Sequence, residues 1–135
     1  MENGYLYIQD YIFPTLLAIS SEEQSQGLMY QSWPPPIMSF VYSSPRINQF
    51  WTKNTPSPLD LVFCHNGKIK QICKGEPYST ATIGDYTPSD LVIEFPYGTI
   101  KQSNIKLGTS VGLVKPNQNE LKKIFAEKYS HFHKK

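Results

Sequence analysis

Eleven prolines and eight glycines punctuate these 135 residues, and no other feature constrains the fold as much. Proline removes a backbone donor and glycine supplies the dihedrals of tight turns, so the chain is cut into short runs that suit strands better than long helices. The runs between the breakers read accordingly. Tyr5 to Ile19 is rich in Tyr, Ile and Phe and predicts one or two strands broken near Pro14. Ile37 to Tyr42 reads as a strand closed by a Ser43-Ser44-Pro45 turn. Asn48 to Asn54, Leu59 to Lys74, Leu91 to Phe95 and Gly108 to Val114 supply the others. Gly75 to Asp90 is long, polar and turn-rich, which makes it a candidate functional loop.

Helices are few. Ser20 with Glu23, or Ser21 with Gln24, forms a capping box that opens a short helix ending at Gly27-Leu28-Met29-Tyr30. Trp33-Pro34-Pro35-Pro36 cannot extend it. Thr99 to Lys106 predicts a brief helical turn. Asn119 is the N-cap of a last helix whose apolar face is Leu121, Ile124 and Phe125. Hydrophobic residues make up 39% and aromatics 13%, enough for one packed interior. The expected fold is therefore β-rich α+β. A single domain covers residues 1–118, and a helical extension and tail cover residues 119–135.

Cys64 and Cys73 flank an Asn66-Gly67 hairpin turn. An uninterrupted register pairs Cys64 with Ile69 and Cys73 with Asp60. The two sulfurs then share a face about 13 Å apart, too far for a disulfide, so two free thiols are expected. Neither a Cys-x-x-Cys pair nor a His cluster indicates a metal, and no cofactor motif appears.

The net charge is +2, and Arg46 is the sole arginine among thirteen basic residues. That composition argues against sequence-specific nucleic-acid reading, which leans on arginine forks. Lysines at 122, 123, 128, 134 and 135 share their segment with Glu120 and Glu127 and read as a solvated face. No run approaches the roughly 20 apolar residues of a membrane span. The opening segment lacks the cationic start of a secretory leader, so a cytoplasmic or particle-assembled location is the expectation.

The most distinctive stretch runs from Gln49 to Phe63. It places a Lys53-Asn54-Thr55 polar step and a Pro56-Ser57-Pro58 turn between two apolar segments, with Asp60 opening the second. Lys53, Asn54, Asp60 and Glu94 are the candidate polar site. On one reading they converge on a cleft, with Lys53 supplying charge and the two acids acting as acceptors or an acid/base pair. On the other they build structure: Asn54 and Thr55 hold the turn, Asp60 accepts turn amides and Glu94 pairs with Lys53. Phe50, Trp51 and Phe63 are expected in the core. Tyr30, Trp33, Tyr78 and Tyr97 fall in loops or at strand ends, where exposed rings serve as contacts for a glycan or a partner.

Taken in order, Gly27-Leu28-Met29-Tyr30, Phe50-Trp51-Thr52-Lys53-Asn54-Thr55 with Pro58-Leu59-Asp60 and Phe63, the Gly67-Lys68-Ile69 hairpin, and Ile93-Glu94-Phe95-Pro96-Tyr97-Gly98 followed by Asn104 to Gly108 form a pattern. It resembles the domain of unknown function 192 family, also called uncharacterised protein family 0127. The chain departs from that pattern with Thr52 in place of Met, Gln31 in place of Arg, Thr109 in place of Asp, and a hairpin tip one residue shorter. The resemblance implies a small antiparallel or mixed β-barrel with one short N-terminal helix, here with an added C-terminal helix. It implies no activity.

Catalytic signatures are missing: there is no nucleophile elbow, phosphate loop or His-Glu-x-x-His. The leading expectation is a non-catalytic binding or assembly module with protein partners or self-association, such as a component of a phage or virion particle. The alternative is a small-molecule or glycan-binding domain, or an enzyme, centred on Lys53, Asn54, Asp60 and Glu94.

Overall fold

A computed structural model describes residues 1–115. The helix expected from Asn119 lies outside them. Seven strands and two short helices follow the order β1 (Glu2–Ile8), β2 (Tyr11–Ala18), α1 (Ser21–Gln26), β3 (Met38–Ile47), β4 (Leu59–His65), β5 (Lys68–Gly75), β6 (Pro88–Pro96), α2 (Thr99–Ser103) and β7 (Val111–Val114). The strands form one sheet in the order β5-β4-β6-β3-β2-β1-β7. It is mixed: β2 and β3 run parallel and the other neighbours antiparallel. The sheet curls until its two ends meet. Val111 donates to the Gly67 carbonyl at 2.8 Å, Ile69 donates to Thr109, and Gly108 donates back to Ile69. The result is the β-rich, barrel-like α+β fold that the sequence predicts.

Local chemistry explains the elements. Ser20 caps α1, and the Glu23 carboxylate returns to the Ser20 amide at 3.0 Å, closing the first of the two capping boxes. The break between β1 and β2 falls at Gln9-Asp10, not at Pro14, which lies inside β2 opposite Tyr5. There β2 pairs on one side only, because its contact with β3 begins at Leu16, so the missing donor is tolerated. The turn expected at Ser43-Ser44-Pro45 is absent. β3 continues through it, and its ladder with β6 shifts register between Val41 and Arg46, which gives Pro45 a place without a required donor.

Each face of the sheet carries its own core. One joins Leu6 and Ile8 of β1 to Val62 and Cys64 of β4, Ile93 and Phe95 of β6, and Ile100 of α2. The other joins Phe40 of β3, Leu59, Leu61 and Phe63 of β4 and Val92 of β6 to Leu28, just after α1, with Phe50 packed against it. β4 is buried on both faces, which is why it reads as an unbroken apolar run.

A one-residue bulge in the hairpin corrects the cysteine register. Cys64 faces Ile69 as expected, but Phe63 faces Gln71, leaving Lys70 unpaired. Cys73 therefore sits opposite Leu61, not Asp60. Since a one-residue slip reverses the face of every later side chain, Cys64 packs in the first core and Cys73 against the second. Both thiols are free. Burial pushes Cys64 up to about 12.

Candidate functional site

The four expected polar residues do not converge, because strand alternation separates the two acids. Asp60 faces Phe95 across the β4–β6 ladder, and Glu94 faces Leu61 one step along. Successive side chains point to opposite faces, so Asp60 lies on the side of the first core and Glu94 on the side of the second. Lys53 is exposed, with its ammonium 5.3 Å from the Trp51 ring centroid. No ion pair links it to Glu94; among the described residues Met1 pairs with Glu23 and Lys74 with Glu76.

Asp60 is a bracket for α2. Its Oδ2 accepts the Gly98 amide at 3.0 Å and the Ile100 amide at 3.1 Å. Burial raises its pKa, and the two amides and nearby Lys74 pull against that rise. Asn54 occupies a left-handed turn position at φ 62, which its side chain tolerates better than most. Its carbonyl accepts the Tyr30 amide at 2.8 Å, and the neighbouring Thr55 carbonyl accepts the Tyr78 amide at 3.0 Å. Ser57 also donates to the Gln31 carbonyl. The 49–63 stretch thus gathers the loops that carry Tyr30, Trp33 and Tyr78.

Those three rings and Tyr97 are all exposed. They make no ring–ring contact with one another, and Lys74 lies 4.4 Å from the centroid of Tyr97. Trp51 differs from expectation. Phe50 and Thr52 turn inward, Phe50 in edge contact with Phe40 at 5.0 Å and with Phe63 at 5.9 Å. Trp51, between them, turns out and is 50% exposed.

Glu94 lies instead in the wall of a pocket of about 540 Å³ between α1, β3 and the 48–51 segment. The residue is only 4% exposed, and its Oε1 has no hydrogen-bond partner. Burial alone pushes its pKa up to about 8, so the carboxyl is predominantly neutral at pH 7. Gly27 stands over it with φ 50, and a Cβ at that position would lie 3.8 Å from Oε1 and 3.4 Å from the Phe40 ring. Arg46 sits at the rim, its guanidinium 4.4 Å from the Tyr42 ring centroid and its Nε donating to Asn48 at 2.9 Å. Asn48 is buried and anchored in turn on Ser89. Burial raises the Tyr42 phenol, and Arg46 opposes the rise. Gln24 spans the wall by donating to the carbonyls of Ala18 and Val41, each at 3.1 Å.

Comparison with known proteins places this arrangement in a family. The model of DUF192, described as an uncharacterised ACR, matches residues 9–113. The chain belongs to the DUF192 family. A protein from Sinorhizobium meliloti 1021, provisionally described as a transcription regulator, is 30% identical with a TM-score of 0.73, over 82% of this chain and 92% of that one. A protein of unknown function from Novosphingobium aromaticivorans DSM 12444 is 27% identical, also with a TM-score of 0.73, over 82% of this chain and 83% of that one. No curated protein matches.

Within this DUF192 fold, two of the sequence departures acquire a setting. Thr52, standing where Met is usual, is buried; its hydroxyl donates to the Glu76 carbonyl and accepts the Ser79 amide. It pins the long loop that follows β5. Gln31 offers its carbonyl to Ser57. Sequence reasoning singled out Glu94 but missed Gly27, Tyr42 and Arg46 as its surroundings. The signals were present: Arg46 is the sole arginine, and Gly27 belongs to the family pattern. Among the described residues no group of His, Cys, Asp and Glu is placed to hold a metal, and no helix is long and apolar enough to cross a membrane.

Proposed function

We propose that the domain is a non-catalytic binding module whose ligand is a small polar molecule held in the pocket between α1 and β3. One observation supports this above the others: the Glu94 Oε1 is buried in the pocket wall without a hydrogen-bond partner. An unsatisfied buried carboxyl costs about 1–3 kcal/mol or more, and a ligand that bonds to it recovers that loss. The pocket's volume falls in the range of small-molecule sites. Of the four residues first singled out, Glu94 serves the pocket directly. Lys53 serves it through Trp51, while Asn54 and Asp60 serve as scaffold.

The test is a fragment screen by amide chemical-shift mapping. Hits that shift Gly27, Tyr42 and Phe50 together support the pocket. Hits confined to the Tyr30, Trp33 and Tyr78 loops, or no hits at all, contradict it.

A second reading, assembly with protein partners or self-association, including incorporation into a phage or virion particle, is favoured by the exposed rings of Tyr30, Trp33 and Tyr78 on loops tethered to residues 54–57. Sedimentation of the protein and of its Trp33→Ser variant separates the readings, since loss of association in the variant supports assembly. The provisional description of the S. meliloti relative as a transcription regulator finds less support here, because Arg46 is the sole arginine and is already held by Asn48 and Tyr42.

A further inference from the structure

The chemistry of the pocket narrows the ligand, on the premise that the pocket reading above is correct. A neutral carboxyl presents one O–H donor beside one carbonyl acceptor. Its complement is a group that accepts and donates at once, a hydroxyl or an amide. A carboxylate offers acceptors alone, and it, like a phosphate, would meet a like charge whenever Glu94 ionised.

Few charges line the walls. Tyr42 and Arg46 of β3 are the ionisable groups facing Glu94 from that strand. Its β4 neighbour Leu61 is apolar, and Asp60 turns to the other face. From the α1 side come Gln24 and Gly27, while Glu23 is turned to its own helix cap. Burial raises the Glu94 pKa.

The remaining lining is mixed, with Leu28, Met29, Phe40, Ile47 and Phe50 supplying apolar surface beside a set of polar side chains. The exposed side chains of Ser25, Gln26, Gln49 and Thr82 line the pocket and make no hydrogen bond to the described residues. The half-exposed ring of Trp51 stands at the mouth. Such hydroxyls and amides match a polyhydroxylated molecule, and an indole covers the C–H face of a sugar ring. Gly27 completes the fit, since a side chain extending past Cβ would overlie the Glu94 carboxyl.

We infer that the pocket takes an uncharged sugar, whose leading hydroxyl or N-acetyl amide exchanges hydrogen bonds with the buried, unpartnered Glu94 carboxyl beneath Gly27.

The test is titration of the full chain with glucose and N-acetylglucosamine, against glucuronate and inorganic phosphate, followed by amide shifts and calorimetry. A neutral sugar is expected to shift Gly27 and Phe50, with the two anions at least about tenfold weaker. Its affinity is expected to fall about thirtyfold between pH 6.5 and 9.5 as Glu94 loses its proton. Glu94→Gln, which keeps a neutral donor and acceptor, should bind within about threefold of wild type at pH 6.5 and lose the pH dependence. Trp51→Ala, at a half-exposed position, should weaken binding about tenfold with an unchanged melting temperature. Stronger pocket shifts with phosphate or glucuronate overturn the sugar class but leave the pocket reading standing. Persistence of the pH fall in Glu94→Gln overturns the role given to Glu94. If none of the four probes reaches the pocket, the sugar inference fails, and the fragment screen decides the pocket reading independently.

Discussion

Asp60 and Glu94 are buried carboxyls one ladder step apart on neighbouring strands, and the fold treats them in opposite ways. Asp60 faces the first core and accepts two amides at the start of α2. Glu94 faces the second core, accepts nothing, and opens on a pocket. A carboxyl satisfied by backbone amides is explained by the structure it holds. A carboxyl left without partners is a standing cost that the fold does not need for its own sake, so the orphan, and not the more connected acid, marks the place to look for a ligand.

Substitutions can break that contrast. The largest effect of a substitution at pH 7 is expected at Asp60. Removing its carboxylate leaves the Gly98 and Ile100 amides without their acceptor, so Asp60→Ala should lose about 4 kcal/mol in urea unfolding at pH 7. A loss below about 1 kcal/mol would show that the bracket is ornamental.

Glu94 should behave differently, through pH. Its folded pKa lies above the unfolded value, so between the two the native state holds a proton that the unfolded chain has released. The contribution is fully present below about pH 4.5 and is lost as pH rises towards about 8. Wild-type stability should therefore fall by about 5 kcal/mol across that window, and Glu94→Gln should flatten this part of the profile. Equal slopes in the two proteins would remove the distinction between the acids.

A smaller effect is expected at Gly27. Alanine is strained at φ 50 and meets the Phe40 ring at 3.4 Å, so Gly27→Ala should cost about 1–2 kcal/mol. It should also reduce fragment shifts at the pocket while leaving those at the Tyr30 and Tyr78 loops unchanged. The smallest change is expected at the exposed rings: Tyr30→Ser and Trp33→Ser should each stay within about 0.5 kcal/mol of wild type.

Both acids were visible in the sequence, and so was the class of fold, because proline and glycine spacing reports strand length directly. Their separation was not visible. Which way Asp60 and Glu94 point depends on the β4–β6 register, a long-range pairing that no local motif encodes. The same blindness affected Cys73, whose face was reversed by the single bulged residue Lys70. It affected Trp51 as well, where alternation along residues 50–52 turned the largest ring outward. At Pro45 a local turn signal was overridden by strand pairing on either side of an irregular ladder. The capping box at Ser20 and Glu23 was legible because all its partners lie within four residues.

The central claim is that Glu94 is a neutral, unpartnered carboxyl in the pocket wall. A ¹³C titration of the Glu94 side-chain carboxyl in the folded protein tests it most directly. A midpoint near 8 is the predicted result, whereas a midpoint at the ordinary glutamate value of about 4.3 would contradict it.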